Sequence, residues 1–147
     1  MTTISFIVHG QPQPAGSKKA FQWRARDGRS GTSVVDDNPK ASSWKKVVAQ
    51  IAREHYQGPL LEGPLAVEFI FCRVRPKAHF RTNGEVKPNA PAYPTTKPDA
   101  LKLARGVEDA LTGVIYRDDS QIVTERLCKR WGPSAYVEIV ITEARYL

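Results

Sequence analysis

Apolar positions near the start of the chain follow first a strand pattern and then a helical pattern. Residues 3–9 alternate loosely between apolar and polar side chains, which predicts a β-strand. Within residues 41–56, the apolar residues Trp44, Val47, Val48 and Ile51 fall at helical spacing. The beginning of the chain therefore predicts a strand followed by an amphipathic helix.

Three later segments have the composition of strands. Residues 65–74 are rich in β-branched and aromatic side chains, which favour an extended, half-buried backbone. Residues 121–130 and 135–142 have the same character, and Gly132-Pro133 between them indicates a turn. Since a short turn usually joins neighbouring strands, these two segments are predicted to form an antiparallel pair.

A second helix is predicted between Pro98 and Gly113. Proline is well tolerated in the first helical turn, and glycine is common just after the last one. Thr96 and Asp99 have the spacing of a capping pair. Asp99 therefore either stabilises the positive end of this helix or has a chemical role of its own.

This second helix is predicted to be amphipathic. Its buried stripe consists of Leu103, Val107, Ala110 and Leu111. Its opposite face consists of Leu101, Arg105, Glu108 and Thr112. Leu101 is thus an apolar residue in a polar row.

Together these elements predict an α+β fold, with a small mixed β-sheet of about four strands and two main helices in the order β-α-β-α-β-β. Neither an internal repeat nor a second domain is visible, so residues 1–147 are expected to form one domain. Residues 10–33 and 75–96 are predicted to be long loops, which in a small domain are often functional.

The chain is basic, with a formal net charge of +7. Residues 99–147 contain seven Lys/Arg against eight Asp/Glu, so the basic excess lies earlier in the chain. Such a charge indicates either a polyanionic partner or a well-solvated surface. No apolar run approaches the roughly 20 residues of a membrane span, and the first residues do not resemble a signal peptide. We therefore expect a cytoplasmic protein without a membrane partner.

Acidic residues recur around the second helix. Asp118 and Asp119 precede a predicted strand, and adjacent residues on an extended backbone point in opposite directions, so only one of them would face the helix. The pair is either a simple turn or, together with Asp99, a set of oxygen ligands for a divalent metal. A metal facing a phosphate suits an acidic cluster within a basic protein.

Basic and aromatic residues alternate in the first predicted loop. The basic residues are Lys18, Lys19, Arg24, Arg26 and Arg29, and the aromatic residues are Phe21 and Trp23. This pattern suits phosphate contacts combined with stacking on unpaired bases. Alternatively, the two aromatic rings anchor the loop to the core.

Residues 97–122 resemble the RusA family of Holliday junction resolvases, endonucleases of bacteria and their phages. The resemblance rests on K-P-D, on a helix that ends in D-A-L-T-G, and on an aromatic residue followed by D-D and Q-I. Three further blocks, QPAGSKKAF, NPKASSW and PAYPTTKPD, resemble the phage and actinobacterial branch. The resemblance implies a homodimer that binds four-way DNA junctions and cuts them with Mg²⁺, or with Mn²⁺ as a substitute, in recombination and repair within a bacterial or phage-infected cell.

The resemblance also implies roles for individual residues. The implied catalytic residues are Asp99, Arg105 and Asp119. The implied metal ligands are Asp99, Asp119 and Asp118. The residues expected to bind DNA are Lys18, Lys19, Arg24, Arg26 and Lys97.

The chain departs from the family pattern at Leu101, where the resemblance implies a second aspartate on the helix. Asp99 and Asp119 alone leave a metal with few charged ligands, although Glu108, two turns along, could supply part of the missing charge. We therefore expect tight junction binding with weak or no cutting, either in a natural variant or after a deliberate inactivating substitution. The alternatives are a non-cleaving branched-DNA-binding protein, a flap- or fork-selective nuclease, and an unrelated basic interaction domain.

Overall fold

A four-stranded sheet and two helices form the core of the computed structural model, which describes residues 2–16, 18–36 and 38–144, with only the backbone at 18, 19, 35 and 36. The elements are β1 (Thr3–His9), β2 (Lys18–Arg24), β3 (Ser30–Asp36), α1 (Ala41–His55), β4 (Leu65–Val74), α2 (Ala100–Leu111), β5 (Ile122–Gly132) and β6 (Tyr136–Glu143). The predicted α+β class, with a mixed sheet and two main helices, is confirmed.

The sheet has the strand order β1-β6-β4-β5. β4 pairs in parallel with β5 and antiparallel with β6, and β6 pairs antiparallel with β1. The predicted antiparallel pair of β5 and β6 is therefore wrong, because β4 lies between them. The apolar β4 and β6 occupy the centre, whereas β5, with exposed Thr124, Glu125 and Arg126, occupies an edge where polar side chains reach water.

One face of the sheet is buried against both helices. β1 contributes alternate buried residues to this face, as does β6 with Val137, Ile139 and Ile141. From the helices, Trp44 and Val48 of α1 and the predicted stripe of α2 join the same core. Neither helix in the described ranges has the length and apolarity that a bilayer crossing requires.

The region predicted as the first long loop contains a β-hairpin. β2 and β3 pair antiparallel from Lys18 opposite Asp36 to Arg24 opposite Ser30, as a two-stranded sheet separate from the main one. Phe21 and Trp23 are 48% and 41% exposed, so these rings are not core anchors. Periodicity did not predict the hairpin because neither strand has a fully buried face.

Candidate active site

An aspartate side chain caps the N-terminal end of helix α2. Asp99 is the N-cap residue, and its Oδ1 accepts a hydrogen bond of 2.9 Å from the backbone N–H of Lys102. Pro98 therefore precedes the helix, after a cis Lys97–Pro98 peptide, so its predicted place in the first turn is wrong. The predicted cap at Thr96 is also wrong, because Asp99 occupies that position. At least one carboxylate oxygen of Asp99 thus serves the helix start.

Two cations from the sheet hold the segment that leads into α2. Arg73 Nη1 donates to the carbonyl of Lys97 at 3.0 Å. Lys129 Nζ donates to the carbonyls of Thr96 and Pro98 at 3.1 and 3.0 Å. β4 and β5 thereby fix the position of the α2 N-terminus. No local pattern could reveal Arg73 or Lys129, because each contact spans 24 or more residues of sequence.

A basic cavity of about 350 Å³ lies beside this helix start. Its walls are residues 11–14, residues 97–99, Arg73 and Lys102. Lys97, expected from the sequence to bind DNA, is therefore joined by two cations that sequence reasoning missed. Three positive side chains around one carboxylate, already engaged as a helix cap, make this cavity suited to an anionic ligand.

The two faces of α2 differ in solvent exposure, as the periodicity predicted. Leu103, Val107, Ala110 and Leu111 are all buried. Leu101 is 72% exposed, and Arg105 is exposed one turn further on. Position 101 therefore presents an apolar side chain to solvent beside the predicted catalytic cation.

The two adjacent aspartates have different surroundings. Asp118 is exposed and caps a short 3₁₀ turn, Asp119–Gln121, by accepting from the backbone N–H of Ser120 at 3.1 Å. Hydrogen bonds from the side chain and the backbone of Ser120 hold the pKa of Asp118 below its usual value. Asp119 is partly buried. The pair therefore combines an exposed, turn-capping residue with a second, partly buried residue.

Gln121 holds this turn against the rest of the fold. Its Oε1 accepts from the backbone N–H groups of Arg117 and Asp118, each at 2.9 Å. Its Nε2 donates to the carbonyls of Leu61 and Gly63, again at 2.9 Å. Four hydrogen bonds from one side chain fix the position of Asp119. The sequence contained Gln121 only as part of the Q-I block.

An acidic cluster lies at the second half of α2. Glu108 is partly buried, and its pKa is raised to about 8, first by burial, then by a hydrogen bond with Glu125 and by the charges of Glu125 and Asp119. The positive charge of Arg105 acts in the opposite direction. Glu108, Asp119 and Arg105, which the sequence analysis singled out, therefore belong to one cluster. Glu125, which sequence reasoning missed, is part of the same cluster.

Tyr116 supports this cluster from beneath. It is fully buried, and its hydroxyl donates to the backbone carbonyl of Glu108 at 2.9 Å. Burial, followed by the charge of Glu108, raises the pKa of Tyr116 well above its usual value. The phenol therefore remains a neutral donor and fixes the last turn of α2.

The acidic side chains named so far lie at different places around α2. Within residues 2–16, 18–36 and 38–144, no group of three or more His, Cys, Asp or Glu side chains is arranged to hold a metal ion. Asp99 caps α2, Asp118 caps its own turn, and Leu101 offers no ligand atom. Because Mg²⁺ often binds through one or two carboxylates together with water and phosphate, Asp99 and Asp119 remain its predicted ligands, and position 101 adds no third carboxylate.

The predicted DNA-binding residues of the first loop lie on the hairpin. Arg24 ends β2 and Arg26 lies in the following turn, and both are exposed. The side chains of Lys18 and Lys19 lie outside the described part of the structure. The hairpin thus presents Arg24, Arg26, Phe21 and Trp23 on an exposed surface.

The candidate site lies within the part of the chain that matches a known protein family. A family model described as "Endodeoxyribonuclease RusA" matches residues 10–142, which include α2, the Asp118–Asp119 turn and β5. The protein YqaN of Bacillus subtilis (strain 168), described as uncharacterized, is 31% identical over 145 residues. That alignment covers 97% of this chain and 98% of the relative.

Proposed function

The chain belongs to the RusA family of endodeoxyribonucleases, and we propose that it binds four-way DNA junctions tightly while cutting them weakly or not at all. The family supports an endonuclease that acts on Holliday junctions. The exposed Leu101 carries our proposal of impaired cutting, because the resemblance implies a carboxylate at this position. Recombination and repair are the processes in which such a protein would act.

The cations near α2 supply the proposed DNA contacts. Lys97, Lys102 and Arg73 surround the cavity at the helix start, where a phosphate would meet three positive charges. Arg105 is exposed on the same helix, and we assign to it the stabilisation of negative charge on a phosphate next to the acidic cluster. These contacts do not need a metal.

Cutting is the part of the function that the side chains support poorly. Mg²⁺ is the cofactor that the family resemblance implies, with Asp99 and Asp119 as its ligands. Because position 101 is a leucine, these two aspartates lack the third carboxylate that the resemblance implies. We therefore expect the chain to bind Mg²⁺ weakly, as an isothermal titration of the DNA-free protein would measure.

Symmetric cutting of a four-way junction needs two equivalent sites, so we propose that the chain acts as a homodimer. A two-fold dimer presents the same surface twice with one kind of interface. Sedimentation velocity over a range of protein concentrations tests this assembly. A monomer at the concentrations that saturate a junction would contradict it.

Restoring the missing carboxylate tests the proposed function directly. We expect Leu101→Asp to cut a synthetic four-way junction in Mg²⁺ about 100-fold faster than the unaltered chain, or more, because the added charge completes the ligand set. Leu101→Asn is the matched control, since it has the same size as the aspartate variant but no charge. It should gain little.

Binding is measured beside cutting so that the two parts of the proposal remain separate. The unaltered chain should prefer the four-way junction to a blunt duplex of the same length in Ca²⁺ or in chelator. Fast Mg²⁺-dependent cutting by the unaltered chain would contradict the role of Leu101. Equal affinity for junction and duplex would contradict the choice of substrate.

A further inference from the structure

Three cavities lie next to one another at the C-terminal end of β4. The first is the basic cavity at the start of α2. It shares Gln11 and Arg73 with a second cavity of about 110 Å³, which in turn shares Val74 with a third cavity of about 440 Å³. The third is lined by Val74, Arg75, Phe80, Trp131 and residues 132–133. We refer to this row of neighbouring cavities as the β4 groove.

Most of the charged side chains that line the β4 groove are positive. Arg73, Arg75, Lys97 and Lys102 contribute four positive charges along the groove, and Asp99 contributes one negative charge. Electrostatic complementarity therefore favours a ligand with several negative charges spaced along its length. A nucleic-acid backbone has this property.

Trp131 forms an aromatic wall at the far end of the groove. The guanidinium carbons of Arg73 and Arg75 lie 6.0 and 5.7 Å from the centre of its ring, and His79 contacts it edge-on at 5.4 Å. Its Nε1 is covered and has no hydrogen-bond partner among the described residues, although the residue is only half-buried. Trp131 thus contributes an aromatic ring, flanked by two guanidinium groups, to the wall of the third cavity.

The two arginines are already ordered by backbone contacts. Arg73 Nη1 donates to the carbonyl of Lys97 at 3.0 Å. Arg75 Nη1 donates to the carbonyl of Pro91 at 2.9 Å. Because these bonds limit side-chain motion before any ligand arrives, less conformational entropy is lost on binding. Phe80, which is 36% exposed, lies beside Trp131 as a second aromatic surface.

The lining of the groove favours a single strand of DNA. The first and third cavities have volumes of about 350 and 440 Å³, the size of sites for single small groups. Stacking on aromatic rings next to cations is how single-stranded nucleic acids are bound without sequence preference. The charge and the aromatic lining therefore favour the same ligand.

We propose that the β4 groove binds a short unpaired DNA strand, with bases stacked on Trp131 and Phe80 and phosphates on Arg73, Arg75 and Lys97. This rests on the proposed function, since the strand leaves the groove at the start of α2 beside the candidate active site. The groove would give the protein a preference for branched DNA whose strands are locally unpaired.

Binding of a fluorescent oligodeoxythymidine tests this proposal, with a blunt duplex and a four-way junction titrated in parallel. Trp131→Leu should weaken oligodeoxythymidine binding by roughly 5- to 100-fold, the range expected for the loss of one stacked base. Trp131→Phe retains an aromatic face and should recover most of this affinity. Arg75→Gln should also weaken binding and lower the salt slope by about 0.7, as for one lost single-strand phosphate contact.

The matched charge control is Arg53→Gln, which removes an exposed cation from the last turn of α1, outside the groove. It should change oligodeoxythymidine binding much less than Arg75→Gln.

If Trp131→Leu and Arg75→Gln both bind oligodeoxythymidine normally while the junction is preferred, the groove proposal fails and the proposed function stands. If these variants lose oligodeoxythymidine binding but no junction preference exists, the groove stands and the proposed function fails. Equal losses on duplex and single strand would overturn the specificity for unpaired DNA.

Discussion

The two ends of α2 face opposite kinds of charge. At its N-terminal end, Lys97, Lys102 and Arg73 surround a cavity in which Asp99 already caps the helix. At its C-terminal end, Glu108 lies against Glu125 with Asp119 near by. The first region is basic, whereas the second brings together carboxyl groups whose proximity favours the protonated form of Glu108.

Under the proposed function, this difference would let one position separate binding from cutting. Position 101 lies in the first turn of α2, on the outer row that also contains Arg105 and Glu108. Leucine adds no negative charge there, so the cations at the helix start would stay available to phosphates. Leucine also provides no ligand for a metal. We therefore expect binding to be preserved while the carboxylates proposed for cutting lack one member.

The largest effect on stability is expected from Gln121, which fixes the acidic region to the fold. Gln121→Ala removes four hydrogen bonds, including one to the carbonyl of the buried Leu61. We expect a loss of about 2–3 kcal/mol in the free energy of unfolding, because a typical bond contributes about 1 kcal/mol and part of this site is solvated. Urea denaturation measures the change.

Two further variants define the role of Gln121. Gln121→Glu retains the acceptor for Arg117 and Asp118 but places a carboxylate oxygen against the carbonyls of Leu61 and Gly63, so it should be no more stable than Gln121→Ala. Gln57→Ala is the matched control, since among the described residues that side chain bonds to the carbonyls of residues 53 and 54 at the end of α1. A Gln121→Ala loss no greater than that of Gln57→Ala would show that Asp119 is positioned by other contacts.

A smaller and pH-dependent effect is expected from Glu108. Its pKa is about 8 in the folded protein against an ordinary value of 4.5, so the folded state retains a proton that the unfolded state releases between these pH values. Stability contributed by protonated Glu108 is therefore complete below pH 4.5 and is lost as the pH rises through about 8. Glu108→Gln cannot ionise and should not show this loss.

The measurement is urea denaturation at pH 5 and pH 9 in chelator. The full shift of the pKa corresponds to at most about 5 kcal/mol, and because Glu108 is partly solvated we expect the variant to gain about 1–2 kcal/mol on its parent between these pH values. The matched control, Glu85→Gln, alters an exposed glutamate in a surface loop and should follow the parent. A Glu108→Gln variant with the parent's pH dependence would mean that the acidic cluster carries no repulsion.

The hydrophobic periodicity predicted which residues of α2 are buried and which are exposed. It did not predict which residues of other elements lie at the two ends of the helix. The buried stripe and the exposed Leu101 both follow from 3.6 residues per turn, which depends only on local sequence. Arg73, Lys129 and Glu125 reach α2 from strands that are distant in sequence. Their roles depend on the strand order, which the Gly132-Pro133 turn suggested wrongly.

The placement of β5 shows why the strand order was difficult to predict. A turn between β5 and β6 favours pairing of these strands, yet β6 pairs with β1 and β4 because its alternate residues Val137, Ile139 and Ile141 are completely buried there. Burial of apolar surface outweighs the proximity of two strands along the chain. The site inherits this order, since β5 brings Glu125 to α2 and Lys129 to the segment before it.

The smallest effect is expected from the β2–β3 hairpin, which carries basic residues outside α2. Arg24→Gln combined with Arg26→Gln should flatten the salt dependence of junction binding by up to about 1.8 in the log–log slope, because two duplex phosphate contacts are lost. Lys46→Gln with Arg53→Gln removes the same charge from exposed positions of α1 and serves as the control. Titrations at several salt concentrations distinguish the two pairs. An equal effect of both pairs would mean that the hairpin acts only through net charge, and binding would then depend mainly on the cations around the start of α2.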